Sequence, residues 1–155
     1  MNYRKIIGDL LIYSKRFRGI RIEDNIIIAA NPRGGSTWLE QVLSKAPGTL
    51  SVYEPLNPGY ARRFMDLGFT HRTFLNEENV HHKERALFDL LFRGYYLEHR
   101  AIFHPNSQND LQKIAFGSRL LFKFCRINLL LPWLTKNFSL RPPVFILRNP
   151  YAQIS

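Results

Sequence analysis

Residues 26–43 constrain this chain more than any other stretch. A five-residue apolar run, Ile26-Ile27-Ile28-Ala29-Ala30, breaks into Asn31-Pro32-Arg33-Gly34-Gly35-Ser36-Thr37 and then resumes as Trp38, Leu39, Val42 and Leu43. The run reads as a strand buried on both faces. The later apolar residues recur at helical spacing and are expected to share one buried helix face. A strand, a glycine turn and a helix N-terminus bring backbone N–H groups and the positive end of a helix dipole to one point, which suits an anion. The sequence therefore predicts a bound phosphate or sulfate group at residues 31–37.

A second unit of the same kind lies near the end of the chain. Pro142-Pro143 introduces Val144–Leu147, another buried-strand pattern, followed at once by Arg148-Asn149-Pro150. Further strands are expected at 50–53 and 120–124. Helices are expected over 4–17, 36–45, 84–99 and 127–138, the last with a break at Pro132. Residues 56–78 read as irregular with short helical pieces, and 104–110 as a loop. Strands alternating with helices predict an α/β fold with a mostly parallel sheet. Ligands in such sheets sit at the carboxyl ends of the strands, where both marked turns fall. The chain stops at Ser155, inside what should be the next helix, so the expectation is a single domain (1–155) that is incomplete at its C-terminus.

Bulk properties narrow the partner. The chain has 155 residues, 45% of them apolar and 14% aromatic, enough for a sizeable core. Its net charge of +10 suits a nucleotide, an acidic glycan, a nucleic acid or a membrane surface, or else marks a solvated basic surface. The basic residues are dispersed and no nucleic-acid-binding motif is present, which argues against nucleic acid. With one cysteine, Cys125, an internal disulfide framework and a cysteine-based metal site are excluded. No apolar run reaches the roughly 18 residues of a membrane span. The basic N-terminus, Met1–Ile22, is interrupted by charge and makes a poor secretory signal. It fits an amphipathic surface helix able to touch a membrane surface weakly, and the default location is the cytoplasm.

The turn at 31–37 is not a Walker A motif, because no lysine follows Gly35. This disfavours a P-loop kinase or hydrolase. Pro32-Arg33-Gly34-Gly35-Ser36-Thr37-Trp38-Leu39 instead resembles the 5′-phosphosulfate loop of sulfotransferases that use 3′-phosphoadenosine 5′-phosphosulfate (PAPS). Three more segments follow in that family's order. Tyr53-Glu54-Pro55-Leu56 is similar to a segment of the carbohydrate sulfotransferases. Leu121-Phe122-Lys123 resembles the lysine-bearing strand end. Val144–Pro150 is similar to the 3′-phosphate segment. The resemblance runs from Ile26 to the end of the chain.

It implies a P-loop-like three-layer fold, cut off after the 3′-phosphate-binding strand, and transfer of a sulfuryl group from PAPS to a hydroxyl acceptor, carbohydrate-like by the closest branch. By the same resemblance, Arg33, Gly34, Gly35, Ser36 and Thr37 hold the 5′ end of the donor. Arg148 holds the 3′-phosphate, with Ser155, one position short of the family's usual serine, as a second ligand. Trp38 fits either an adenine contact or core packing. Lys123 balances charge on the oxygen bridging to the leaving nucleotide (PAP), so that fixed cations act and no metal is required.

The acceptor hydroxyl needs a base. In the steroid and phenol branch that base is a histidine two residues after the strand lysine, a place taken here by Cys125. By analogy with the carbohydrate branch, Glu54 is the preferred base, with His71, His81, His82 and His104 as alternatives. Cys125 reads as a small core residue. A nucleotide-binding chain without catalysis remains the main competing reading.

Overall fold

The computed structural model describes residues 6, 7, 10, 11, 13, 19–70 and 72–149. Most of the helix expected over 4–17 therefore lies outside the described residues, as do His71, Pro150 and Ser155.

Four strands form one sheet: β1 (Ile26–Ala30), β2 (Thr49–Tyr53), β3 (Arg119–Phe124) and β4 (Val144–Ile146), in the order β2-β3-β1-β4. Every pairing is parallel. The helices are α1 (Ser36–Leu43), α2 (Arg62–Asp66), α3 (His82–Phe92), α4 (His99–Ile102), α5 (Leu111–Phe116) and α6 (Leu131–Asn137). The expected α/β class with a parallel sheet is thus what the chain adopts. Its strands are the isoleucine-, leucine- and phenylalanine-rich runs that suit a sheet covered on both faces.

The strand register sorts side chains between two layers. Ile27 pairs with Phe122 and Val52 with Phe122, so these three share a face, and Ala29 and Phe124 share it two residues on. This face joins the main core with Phe64 of α2, Leu87, Phe88, Leu91 and Phe92 of α3, and Trp133 and Leu134 of α6. Its aromatic rings pack edge to face, as Phe92 does on Phe122 at a centroid distance of 5.4 Å. The opposite face carries Ile28, Leu121, Ser51, Tyr53 and Lys123, and α1 lies on it. Buried Asn25 ties the start of the sheet to α3. Its side-chain amide donates to the Phe92 carbonyl (2.7 Å), and its oxygen accepts from the Leu120 N–H (3.1 Å).

Several elements differ from expectation. α1 turns Ser36, Glu40 and Ser44 to the sheet, while Trp38 is 69% exposed and Val42 lies largely in solvent. The cause is polar: the Ser51 hydroxyl of β2 donates to the Glu40 carboxyl, and that bond fixes the helix rotation. The helix expected over 84–99 stops at Phe92 because Gly94 takes a left-handed conformation, φ 75°. The chain restarts as α4. Pro132 does not break a helix but sits in the first turn of α6, where its missing N–H is no loss. α5 was not expected; the Asp110 side chain caps it by accepting from the Lys113 N–H (2.7 Å). β4 was expected to be buried, yet Val144 and Phe145 are 42% and 46% exposed. Among the described residues no helix is long and apolar enough to cross a membrane.

Candidate functional site

Parallel pairing puts the carboxyl ends of all four strands on one side of the molecule, and the sequence-expected residues meet there. A cleft of about 600 Å³ is lined by Pro32, Arg33, Gly35, Ser36 and Thr37 after β1, Tyr53, Glu54 and Asn57 after β2, Lys123, Cys125 and Arg126 at the end of β3, and His104. Lys123 is the fifth residue of β3, on the face of the sheet shared with Tyr53 and Ile28. It can lie there, only 3% exposed, because it has a charged partner.

The loop after β1 is built by two glycines with separate tasks. Gly34 donates its N–H to the Asn31 carbonyl (3.0 Å), and a β-carbon there would stand 2.9 Å from that same oxygen, so no side chain fits. Gly35 has open space around it but a φ of 94°, which only glycine adopts without strain. As N-cap of α1 it directs the free N–H groups of the first helical turn toward the cleft mouth. Arg33 also has a left-handed backbone, φ 62°, and so does Glu54, φ 46°. Left-handed conformations at side-chain-bearing residues cost about 1–2 kcal/mol each. Here they fall on two of the charged residues facing the cleft.

The cleft floor is an ion-pair network. Glu54 Oε1 accepts from Lys123 Nζ at 2.6 Å, Oε2 accepts from the Cys125 N–H at 3.0 Å, and Arg126 Nη1 stands 3.6 Å from Oε2. Burial pulls the Lys123 ammonium's pKa down, but the attraction and hydrogen bond of Glu54 outweigh it, and the net shift is upward. Lys123 is therefore a fixed cation at neutral pH. Its ammonium also lies 4.3 Å from the centre of the Tyr53 ring. Burial, then the Glu54 hydrogen bond and charge, push the Cys125 thiol up, so it is protonated at neutral pH. Cys125 is half-buried at the cleft wall with its sulfur 3.8 Å from the Ser36 hydroxyl, rather than in the core as expected.

Glu40 lies just behind this network. It is fully buried, and one of its carboxyl oxygens has no hydrogen-bond partner. Burial raises its pKa to about 7, against the lowering effect of the Ser51 bond and of Lys123.

Arg33, Gly35, Ser36, Thr37, Glu54 and Lys123 thus share one cleft, with Gly34 buried behind its rim. Arg148, just past β4, donates from Nη1 to the Arg33 carbonyl at 3.2 Å, so the two arginines expected at opposite ends of the donor are neighbours. Trp38 points away from the sheet and does not line the cleft. Of the alternative bases, His81 packs on Trp133 and His82 is exposed, both away from the cleft; His104 lines it. Arg126 was not anticipated. The signal for Arg126 was a cation two residues past a buried strand, in the position that Arg148 occupies after β4. A second cavity of about 450 Å³ continues from the first through Pro32, Cys125 and Arg126 to Asn31, Asn128 and Leu129.

No protein-family model, curated protein or solved structure matches the chain.

Proposed function

We propose that the chain binds PAPS and transfers its sulfuryl group to a hydroxyl of a polar, carbohydrate-like acceptor. One observation carries the reading: the 32–37 loop, Lys123 and Glu54 share a single cleft, and Arg148 reaches the rim of that loop. PAPS needs two anion sites and a cation at the scissile bond. Arg33 with the α1 N-terminus, Arg148, and Lys123 are the groups that would supply them. Charge-assisted contacts of this kind contribute roughly 1.5–3 kcal/mol each.

In the transfer the acceptor oxygen attacks sulfur, and the bond from sulfur to the bridging phosphate oxygen breaks. PAP leaves with that electron pair, and the acceptor proton passes to Glu54. Little covalent work falls to the protein, as in phosphoryl transfer; positioning and fixed charge dominate. The position of Lys123 on Glu54 supports one order of events. While its ammonium sits on Glu54 Oε1, that oxygen is not free to take a proton. Movement of Lys123 to the bridging oxygen would stabilise the leaving group and release the base together.

The three donors on Glu54 also favour a second reading, nucleotide binding without transfer, in which the Lys123–Glu54 pair stays closed. Isothermal calorimetry with PAP tests what the two readings share. PAP binds, and Arg33→Ala or Arg148→Ala each weakens binding about tenfold; affinity unmoved by both changes rules the site out. Sulfate transfer from PAPS to a panel of glycans then separates the readings, with Glu54→Gln cutting turnover while PAP affinity is retained.

A further inference from the structure

We infer that His104 is a neutral N–H donor that holds the oxygens of the sulfuryl group being transferred, and that it does not act as the base. The inference rests on the PAPS reading and adds the residue that senses the group distinguishing PAPS from PAP.

His104 precedes the 3₁₀ turn Pro105–Ser107 and caps it: its Nδ1 accepts from the Asn106 backbone N–H at 3.2 Å. A neutral imidazole carries one proton, so a ring that accepts at Nδ1 carries it on Nε2. Nε2–H can donate but cannot take a proton from an acceptor hydroxyl. The ring is held in this orientation. It stacks on Tyr53 with centroids 3.7 Å apart and planes 3° from parallel. Tyr53 is itself fixed at both ends: its carbonyl accepts from the Tyr60 hydroxyl (2.7 Å), and its hydroxyl accepts from the Asn106 side-chain amide (3.3 Å).

The charged groups around His104 act in the same direction. Burial first, then the Lys123 ammonium, lower its pKa, and Glu54 offsets part of that. Arg33 and Arg126, on the other walls of the cleft, add positive charge. The imidazole is therefore uncharged at neutral pH. His104 lines one cleft with Lys123 and Glu54, the pair assigned to the bridging oxygen and the acceptor proton. An N–H donor on the wall of that cleft is available to the sulfuryl oxygens of a donor bound there. PAP, which lacks that group, leaves this donor without a contact.

Two measurements test this on the intact chain. Nitrogen-15 chemical shifts of the histidine ring at pH 7 read the tautomer directly; the expected form is Nε2–H, and an Nδ1–H form or an imidazolium overturns the inference. Calorimetry with PAPS and with PAP, in the absence of acceptor, reads the contact. His104→Ala should weaken PAPS about tenfold while leaving PAP unchanged. His104→Gln, whose amide places an N–H near Nε2, should restore most of the loss. Equal weakening of both nucleotides, or of neither, overturns the role of His104 while the donor site stands. Failure of both nucleotides to bind the wild-type chain overturns the donor reading, and this inference with it.

Discussion

The two sides of the sheet meet solvent in opposite ways. On the β2–β3 side, Leu50, Val52, Leu120, Leu121 and Phe122 are buried completely. At the β4 edge, Val144, Phe145 and Leu147 are exposed. Both sides are equally apolar in sequence, so apolar composition alone does not decide burial; what covers a strand does. The site divides in the same way. Glu54 and Lys123 lie in a closed, hydrogen-bonded pocket on the covered side, whereas Arg148 projects from the open edge and is held by one carbonyl. The buried charge pair is preorganised on the covered side, and the edge arginine is exposed.

The comparison can be broken most directly in the aromatic layer. Phe122→Ala empties a packed site and should cost about 4 kcal/mol in chemical denaturation, while Phe145→Ala, on the same face of the sheet but at the edge, should cost under about 1 kcal/mol. Equal losses would mean that β4 is covered in solution. Next comes the buried pair. Glu54→Gln leaves the Lys123 ammonium without its counter-charge and should destabilise by about 3 kcal/mol, and adding Lys123→Met should recover most of it. Urea midpoints of the two single variants and the double variant close that cycle.

Glu40 sharpens the comparison through pH. Its pKa is about 7 in the folded chain against 4.5 as an ordinary glutamate. Below 4.5 it is protonated in both states and contributes no pH dependence. From there to about 7 the unfolded chain loses its proton and the folded chain keeps it, so stability falls as pH rises, by about 3 kcal/mol in total, and then levels off. Glu40→Gln should flatten that decline in melts taken across the range.

Much of this was readable from the residues. Ile26–Ala30 folds as the strand its composition implied, and the strands at 50–53, 120–124 and 144–147 appear within a residue at each end. Strand composition and strand-end charge are local signals, and together with the family resemblance they pointed to Arg33, Glu54, Lys123 and Arg148. The rotation of α1 was not legible, because Glu40 is drawn to the sheet by Ser51, a partner eleven residues away. Arg126 escaped for a related reason, and His104 stood as one of four interchangeable histidines: their place depends on how β2, β3 and the turn at Pro105–Ser107 pack together. Apolar spacing marked the end of α3 too late, since Gly94 decides it by backbone conformation rather than by burial.

The left-handed backbone of Arg33 sets a trade-off for natural or laboratory selection. Glycine is the replacement that relaxes this position, so Arg33→Gly should raise the melting stability by up to about 1 kcal/mol, whereas Arg33→Ala should not. Both variants delete the cation that faces the cleft. A screen for thermal tolerance alone would therefore drift toward glycine at position 33, whereas a screen that also demands anion binding would hold arginine there; survival of arginine under the first screen would mean that its backbone costs the fold little.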